Sequence, residues 1–132
     1  MATSAAFAST PRCAVAQATA ANTNLDGTGT IATVFTAGAS GSRIDAISIK
    51  AIATTTAGMV RLYVHDGTNA RLLKEVPVRA KTPSGTIDAE ESHLNLGSLS
   101  QILPLILPTG YSLRASTHNA ETFNVFAFGG DY

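Results

Sequence analysis

His65 and Asp66 form the one histidine–carboxylate pair adjacent in this chain, the arrangement from which a proton relay or a metal site would have to start. They stand at the end of a strand-like run, where neighbouring side chains point to opposite faces, so they are badly placed to share a proton or an ion. The other two histidines, His93 and His118, also fall near strand ends or turns, and no His-x-His or Cys-x-x-Cys spacing offers the converging ligands that zinc needs. Asp88, Glu90 and Glu91 could be imagined as a general acid/base set, but consecutive carboxylates on an exposed strand read as a solvated face. Cys13 has no histidine near it in sequence and reads as a buried or half-buried structural thiol. Asp26-Gly27-Thr28-Gly29-Thr30 looks superficially like a phosphate cradle. It lacks the Gly-Lys-Ser/Thr ending of a P-loop and opens onto a strand pattern instead of a helix. Calcium at Asp26 or Asp66 would need a denser run of carboxylates. Tyr63, Tyr111 and Tyr132 could stack on sugars, although the chain has no Trp to make a strong lectin face. The sequence therefore names no catalytic residue, no cofactor and no metal ligand, and the expectation is a protein that is not an enzyme.

The elements that carry these side chains are bounded first by composition. The 132 residues fit one domain and suffice for a real hydrophobic core. Nine basic and nine acidic side chains cancel, so there is no clustered positive charge to displace counterions from nucleic acid or to hold an anionic membrane surface. Charged residues make up 14% of the chain, well below the usual about 25%, with Ala, Thr, Ser and Gly in their place. A surface so poor in charge is weakly protected against association, which fits a domain working inside an assembly as well as a merely Thr/Ser-rich β surface. The single Cys13 cannot form an intrachain disulfide. No apolar run approaches a membrane span, and the first residues make a poor secretory signal, so synthesis in the cytoplasm is the simple expectation.

Met1 to Pro11, with Phe7 its one bulky side chain, reads as a flexible arm, and residues 12–132 as the folded domain. From Arg12 on, short β-like runs alternate with turns. Arg12 to Asn22 alternates loosely; Thr28 to Thr36 is β-branched, with Ile31, Val34 and Phe35 inward. Arg43 to Ile52 changes parity between Ile44 and Ile47, which predicts a bulge or a strand buried on both sides. Met59 to Asp66 alternates cleanly, Val60, Leu62 and Val64 one way and Arg61, Tyr63 and His65 toward solvent or a partner. Asp66-Gly67-Thr68-Asn69 is a hairpin loop. It returns into Ala70 to Ala80, where Pro77 marks an end, an edge or a bulge. Thr86 to Leu96 is a further strand with Leu94 and Leu96 inward. Gly97 to Gln101 is loop or one helical turn, and Ile102 to Leu107 is an apolar segment interrupted by Pro104. Tyr111 to Thr117 and Glu121 to Phe128 close the series. Eight or nine strands without a helical period predict an all-β antiparallel two-sheet sandwich or jelly roll.

Several of these phrases resemble one group of proteins. Asn22 to Thr30 continuing through Gly41-Ser42-Arg43-Ile44-Asp45, Arg61 to Gly67, Gly110 to Thr117, and Glu121 to Val125 with Phe128 to Asp131 are similar to small virion proteins of tailed bacteriophages. They cover most of the chain beyond the arm and are strand-and-turn phrases, not a site motif. The resemblance implies a capsid decoration (cement) protein, made in the host cytoplasm and placed on the capsid surface. Such a protein clamps neighbouring subunits of the major capsid protein, often as a trimer. The residues chosen on this reading for partner binding are Phe7 in the arm, Arg12 where the arm meets the domain, Tyr63, and Ile102 and Leu105 in the apolar segment. The alternative is a tail, baseplate or fibre-associated module that contacts tail proteins or host glycans.

Overall fold

The turn Asp66-Gly67-Thr68-Asn69 is the centre of the whole topology. The Asp66 carboxylate accepts the backbone N–H groups of Thr68 and Asn69, and Gly67 takes the positive φ the reversal requires. The computed structural model describes residues 9–95 and 102–132. It contains β1 (Thr10–Ala18), β2 (Ala32–Thr36), β3 (Ser42–Ala51), β4 (Gly58–His65), β5 (Ala70–Val78), β6 (Glu91–Asn95), β7 (Leu105–Leu107), β8 (Ser112–Thr117) and β9 (Phe123–Asp131), and no helix among the described residues.

Outward from that turn the pairings nest. β4 pairs β5, β3 pairs β6, β2 pairs β8 and β1 pairs β9, all antiparallel. The chain is thus one long ribbon, and alternate pairs of it fall into alternate sheets. One sheet, here sheet A, has the order β1-β9-β3-β6, with the short β7 beside β6 along the same side of β3. The other, sheet B, has the order β2-β8-β4-β5. A ribbon wrapped this way is a jelly roll. Pro77 lies on β5, which is an edge strand and needs no N–H on its open side.

The core is what the inward positions of both sheets supply. Ile44, Ile47, Ile49, Phe123, Val125 and Ala127 of sheet A face Phe35, Val60, Leu62, Leu113 and Ala115 of sheet B. Each of the larger ones contributes about 1.5–3 kcal/mol by leaving water. The parity change in β3 is a bulge. Ile44 opposes Gly129 and Ala46 opposes Phe128, leaving Asp45 as the extra residue. The bulge keeps Ile44 and Ile47 on the same side, so one strand fills two levels of the core.

Some local expectations are corrected. Residues 28–31 are loop, and the second strand starts only at Ala32. The strand read from Thr86 starts only at Glu91, because residues 84–87 form their own Ser84-centred turn. Glu90 is 4% exposed instead of solvated, since Arg79 donates to it from its backbone N–H and twice from its guanidinium. The arm is shorter than expected, because Thr10 and Pro11 already pair with Asp131 and Gly130. Phe7, Leu96 and the 97–101 segment lie outside the described residues.

The largest correction concerns the outward face of β4. The connection between β1 and β2 crosses the outside of sheet B and covers it. Asn22 donates its N–H to Thr117, the Arg61 guanidinium donates to the Asn22 carbonyl, and the Tyr63 hydroxyl donates to the Asn24 carbonyl. Within the loop, the buried Asn22 side chain donates to the carbonyls of Thr28 and Thr30 and accepts the N–H of Asn24. Replacing Asn22 by Ala will therefore cost about 1–3 kcal/mol, because the buried amide that ties the Thr28 and Thr30 carbonyls and the Asn24 N–H together is lost. Chemical denaturation measures that loss, and a change under about 0.5 kcal/mol would show that water replaces the amide.

Candidate partner-binding face

The five residues chosen from sequence do not come together. Tyr63 is fully buried under the 22–24 backbone, so its ring cannot meet a partner. Arg12 occupies an inward position at the end of β1. Its guanidinium lies 4.0 Å from the centre of the Phe35 ring and donates to the Thr36 carbonyl and the Asp131 carboxylate. It ties sheet A to sheet B across the mouth of the sandwich and is committed within the chain. Ile102 and Leu105 are half-buried against the core, whereas their neighbour Ile106 is 52% exposed. Phe7 lies outside the described residues.

Asp131 is the centre of the Arg12 cluster. Ser42 Oγ donates to it, and Gly38 N–H donates to Ser42 in turn. The Ser42 hydroxyl first, and then Arg12, hold the Asp131 carboxyl below its ordinary value. Hydrogen bonds from Arg79 do the same for Glu90, against the opposing effect of burial. A carboxyl whose pKa is lower in the folded than in the unfolded chain stabilises the fold fully above its unfolded pKa. That contribution drains away as pH falls through the folded value. Thermal midpoints will therefore stay level through neutral pH and fall below about pH 4. Glu90→Gln will flatten part of that acid limb, and a limb identical to wild type would remove Glu90 from its cause.

What the structure does bring together is the outer face of sheet A. Outward positions on β1, β9 and β3 align in rows: Cys13, Phe128 and Ala46 in one, Val15, Phe126 and Ser48 in the next. Phe126 and Phe128 stack with ring centroids 6.1 Å apart and planes within 8°. Val15 is 55% exposed and Phe128 37%, and Cys13, expected to be buried or half-buried, is open to solvent because it falls on the outward parity of β1. Beyond this apolar patch the face turns polar. At one end come Gln17–Asn124 and the Lys50–Glu91 pair, at the other the Arg43–Asp45 pair. An apolar centre inside a polar, ion-paired rim is the anatomy of a protein interface.

The sequence carried a signal for this patch that periodicity alone passes over. From Phe123 to Phe128 both parities are apolar: Phe123, Val125 and Ala127 inward, Phe126 and Phe128 outward. A strand with two apolar faces has either two cores or a core and a contact.

The titratable side chains are scattered. His118 N–H bonds to Met59 at the start of β4, and its ring nitrogen meets Arg61. His65 ends the same strand, six residues on or roughly 20 Å away at about 3.3 Å per residue. His93 lies on the other sheet beside Ser48 and Glu91. Among the described residues no group of three or more His, Cys, Asp or Glu is placed to hold a metal ion. No protein-family model, curated protein or solved structure matches the chain.

Proposed function

We propose that this chain is a non-enzymatic structural protein of a virus particle, a capsid decoration (cement) protein that docks on the major capsid protein through the outer face of sheet A. The observation that supports this reading is the stack of half-buried Phe126 on exposed Phe128 with Val15 and Cys13 beside it and an ion pair at either end. Those side chains add nothing to the core beneath them. Burying the patch against a partner would recover roughly 25 cal/mol for each Å² of apolar surface removed from water. The virion as the place comes from the likeness of the strand-and-turn phrases to tailed-phage virion proteins. A chain with 14% charged residues also suits wide, close contacts with a shell subunit. On this reading the protein sits on the capsid surface as a homo-oligomer, with a trimer favoured by the resemblance.

Electron cryomicroscopy of the particle encoded with this chain tests the proposal. Density on the shell with sheet A turned toward capsid subunits is the expected result, and density confined to the tail overturns it. In solution, Phe128→Asp will leave folding within about 1 kcal/mol of wild type, as exposed substitutions do. It will weaken attachment to shells by about tenfold or more, because a buried carboxylate there has no partner. Unchanged attachment would place the contact on another face.

A further inference from the structure

On the opposite sheet, a half-open hollow of about 300 Å³ lies between the 26–31 loop, the end of β4 and the start of β5. Its size is at the lower end of the about 300–1,000 Å³ range of ligand pockets. Apart from Ile31 and Ala70, the side chains around it are polar: Asp26, Thr28, His65, Thr68, Asn69 and Arg114. One wall is the Asp26-Gly27-Thr28-Gly29 segment, whose glycines were the superficial phosphate cradle of the sequence. Gly27 has φ +86° and packs so closely on the Ala70 carbonyl that a Cβ would overlap it. With Asn22 bracing the loop from inside, that wall is built before any ligand arrives.

Arg114 sets the chemistry. Six of the nine Lys and Arg side chains are paired with a carboxylate, but Arg114 is not. It is half-buried, and Ser112 Oγ takes its Nε–H, leaving both terminal nitrogens without a hydrogen-bond partner among the described residues. His65 accepts the Gly67 N–H at Nδ1, so in the neutral ring Nε2 carries the proton and is a second donor. On the loop side Asp26 uses one oxygen for Thr28 and keeps the other. The hydrogen bonds from Thr28 hold its carboxyl below the ordinary range and therefore ionised.

We propose that this hollow binds one carboxylated sugar unit, of the uronate class. The Arg114 fork takes the carboxylate, and Asp26, Thr68 and Asn69 take the hydroxyls. No Phe, Tyr or Trp ring lines the hollow to stack on a sugar face, so a neutral sugar relies chiefly on hydrogen bonds, in competition with water. A carboxylate gains charge-assisted bonds to a half-desolvated guanidinium. Inorganic phosphate has charge for Arg114 but no ring hydroxyls to donate to Asp26 or to meet Thr68 and Asn69. The site is independent of the capsid proposal: a protein docked by sheet A would leave it facing outward.

The test is a ¹⁵N–¹H NMR titration of the full chain with glucuronate, galacturonate, glucose, galactose and inorganic phosphate at constant ionic strength. The expected result is saturable shifts around residues 26–29, 65–70 and 114 with at least one uronate. The matching neutral sugar and phosphate should bind about tenfold or more weakly, the loss of one charge-assisted contact. Arg114→Gln should weaken uronate binding about tenfold, and Arg114→Lys should fall between, keeping the charge but losing the fork. Equal binding of uronate and neutral sugar overturns the proposal, as does equal binding of phosphate or no saturable shift with either uronate. The wild-type comparison decides the matter even if the Arg114 variants fail to fold.

Discussion

Gly129→Ala will cost about 3 kcal/mol or more of folding stability, read as a shift of the urea midpoint at unchanged slope. The reason is local and steric. Gly129 stands opposite Ile44 where the β3 bulge presses the two strands together. A Cβ there would overlap the Arg43 carbonyl oxygen and lie 2.9 Å from the Ile44 Cα. Backbone atoms cannot swing aside as a side-chain tip can, so either the bulge or the β3–β9 ladder must shift. Ile44 and Ile47 depend on that bulge to share one face of the core, and the damage spreads to both. Gly85 is the control: no heavy atom lies near its would-be Cβ, so Gly85→Ala will be neutral or stabilising by up to about 1 kcal/mol. Equal effects at the two positions would show that loss of glycine, and not the close approach, is being measured.

Tyr63→Ala will cost about 3–5 kcal/mol, the range for deleting a large buried ring. The ring is fully enclosed between sheet B and the loop that crosses it, and its hydroxyl donates to Asn24. Removing it leaves a void and takes away one of the ties that seat the loop. Limited proteolysis between residues 23 and 30 should accelerate along with the stability loss. Tyr63→Phe separates the two roles. It keeps the packing and will cost only about 1 kcal/mol for the lost hydrogen bond. A Tyr63→Ala variant with wild-type stability and the same resistance to protease would mean that the loop does not depend on the ring.

Tyr63 also shows where reading the sequence stops. Its alternation with Val60, Leu62 and Val64 correctly separates two faces of β4, because side-chain direction in a strand depends only on parity. Parity says nothing about what covers the second face. That cover is a loop some forty residues earlier in the chain, held by Asn22 and Asn24, whose polar residues carry no periodic signal. Glu90 follows the same logic: next to Glu91 it reads as solvated, and only the return of Arg79 from another strand explains its burial. Arg12 is a cation at the end of an arm until the folding of β9 brings Asp131 to it.

The all-β class, the Asp66–Asn69 hairpin, the irregularity in β3 and the restriction of Pro77 to a strand end, an edge or a bulge were determined by the sequence alone. Each follows from forces acting between residues close in the chain: strand parity, glycine's access to positive φ, and proline's missing donor. The jelly-roll wrap, the apolar stripe of Val15, Phe126 and Phe128, and the hollow beside Arg114 were decided only by tertiary structure. They join strands more than a hundred residues apart, as β1 and β9 are, and side chains from three separate segments. Pairing at that distance is selected by the fit of whole faces, and no short stretch of sequence contains that fit.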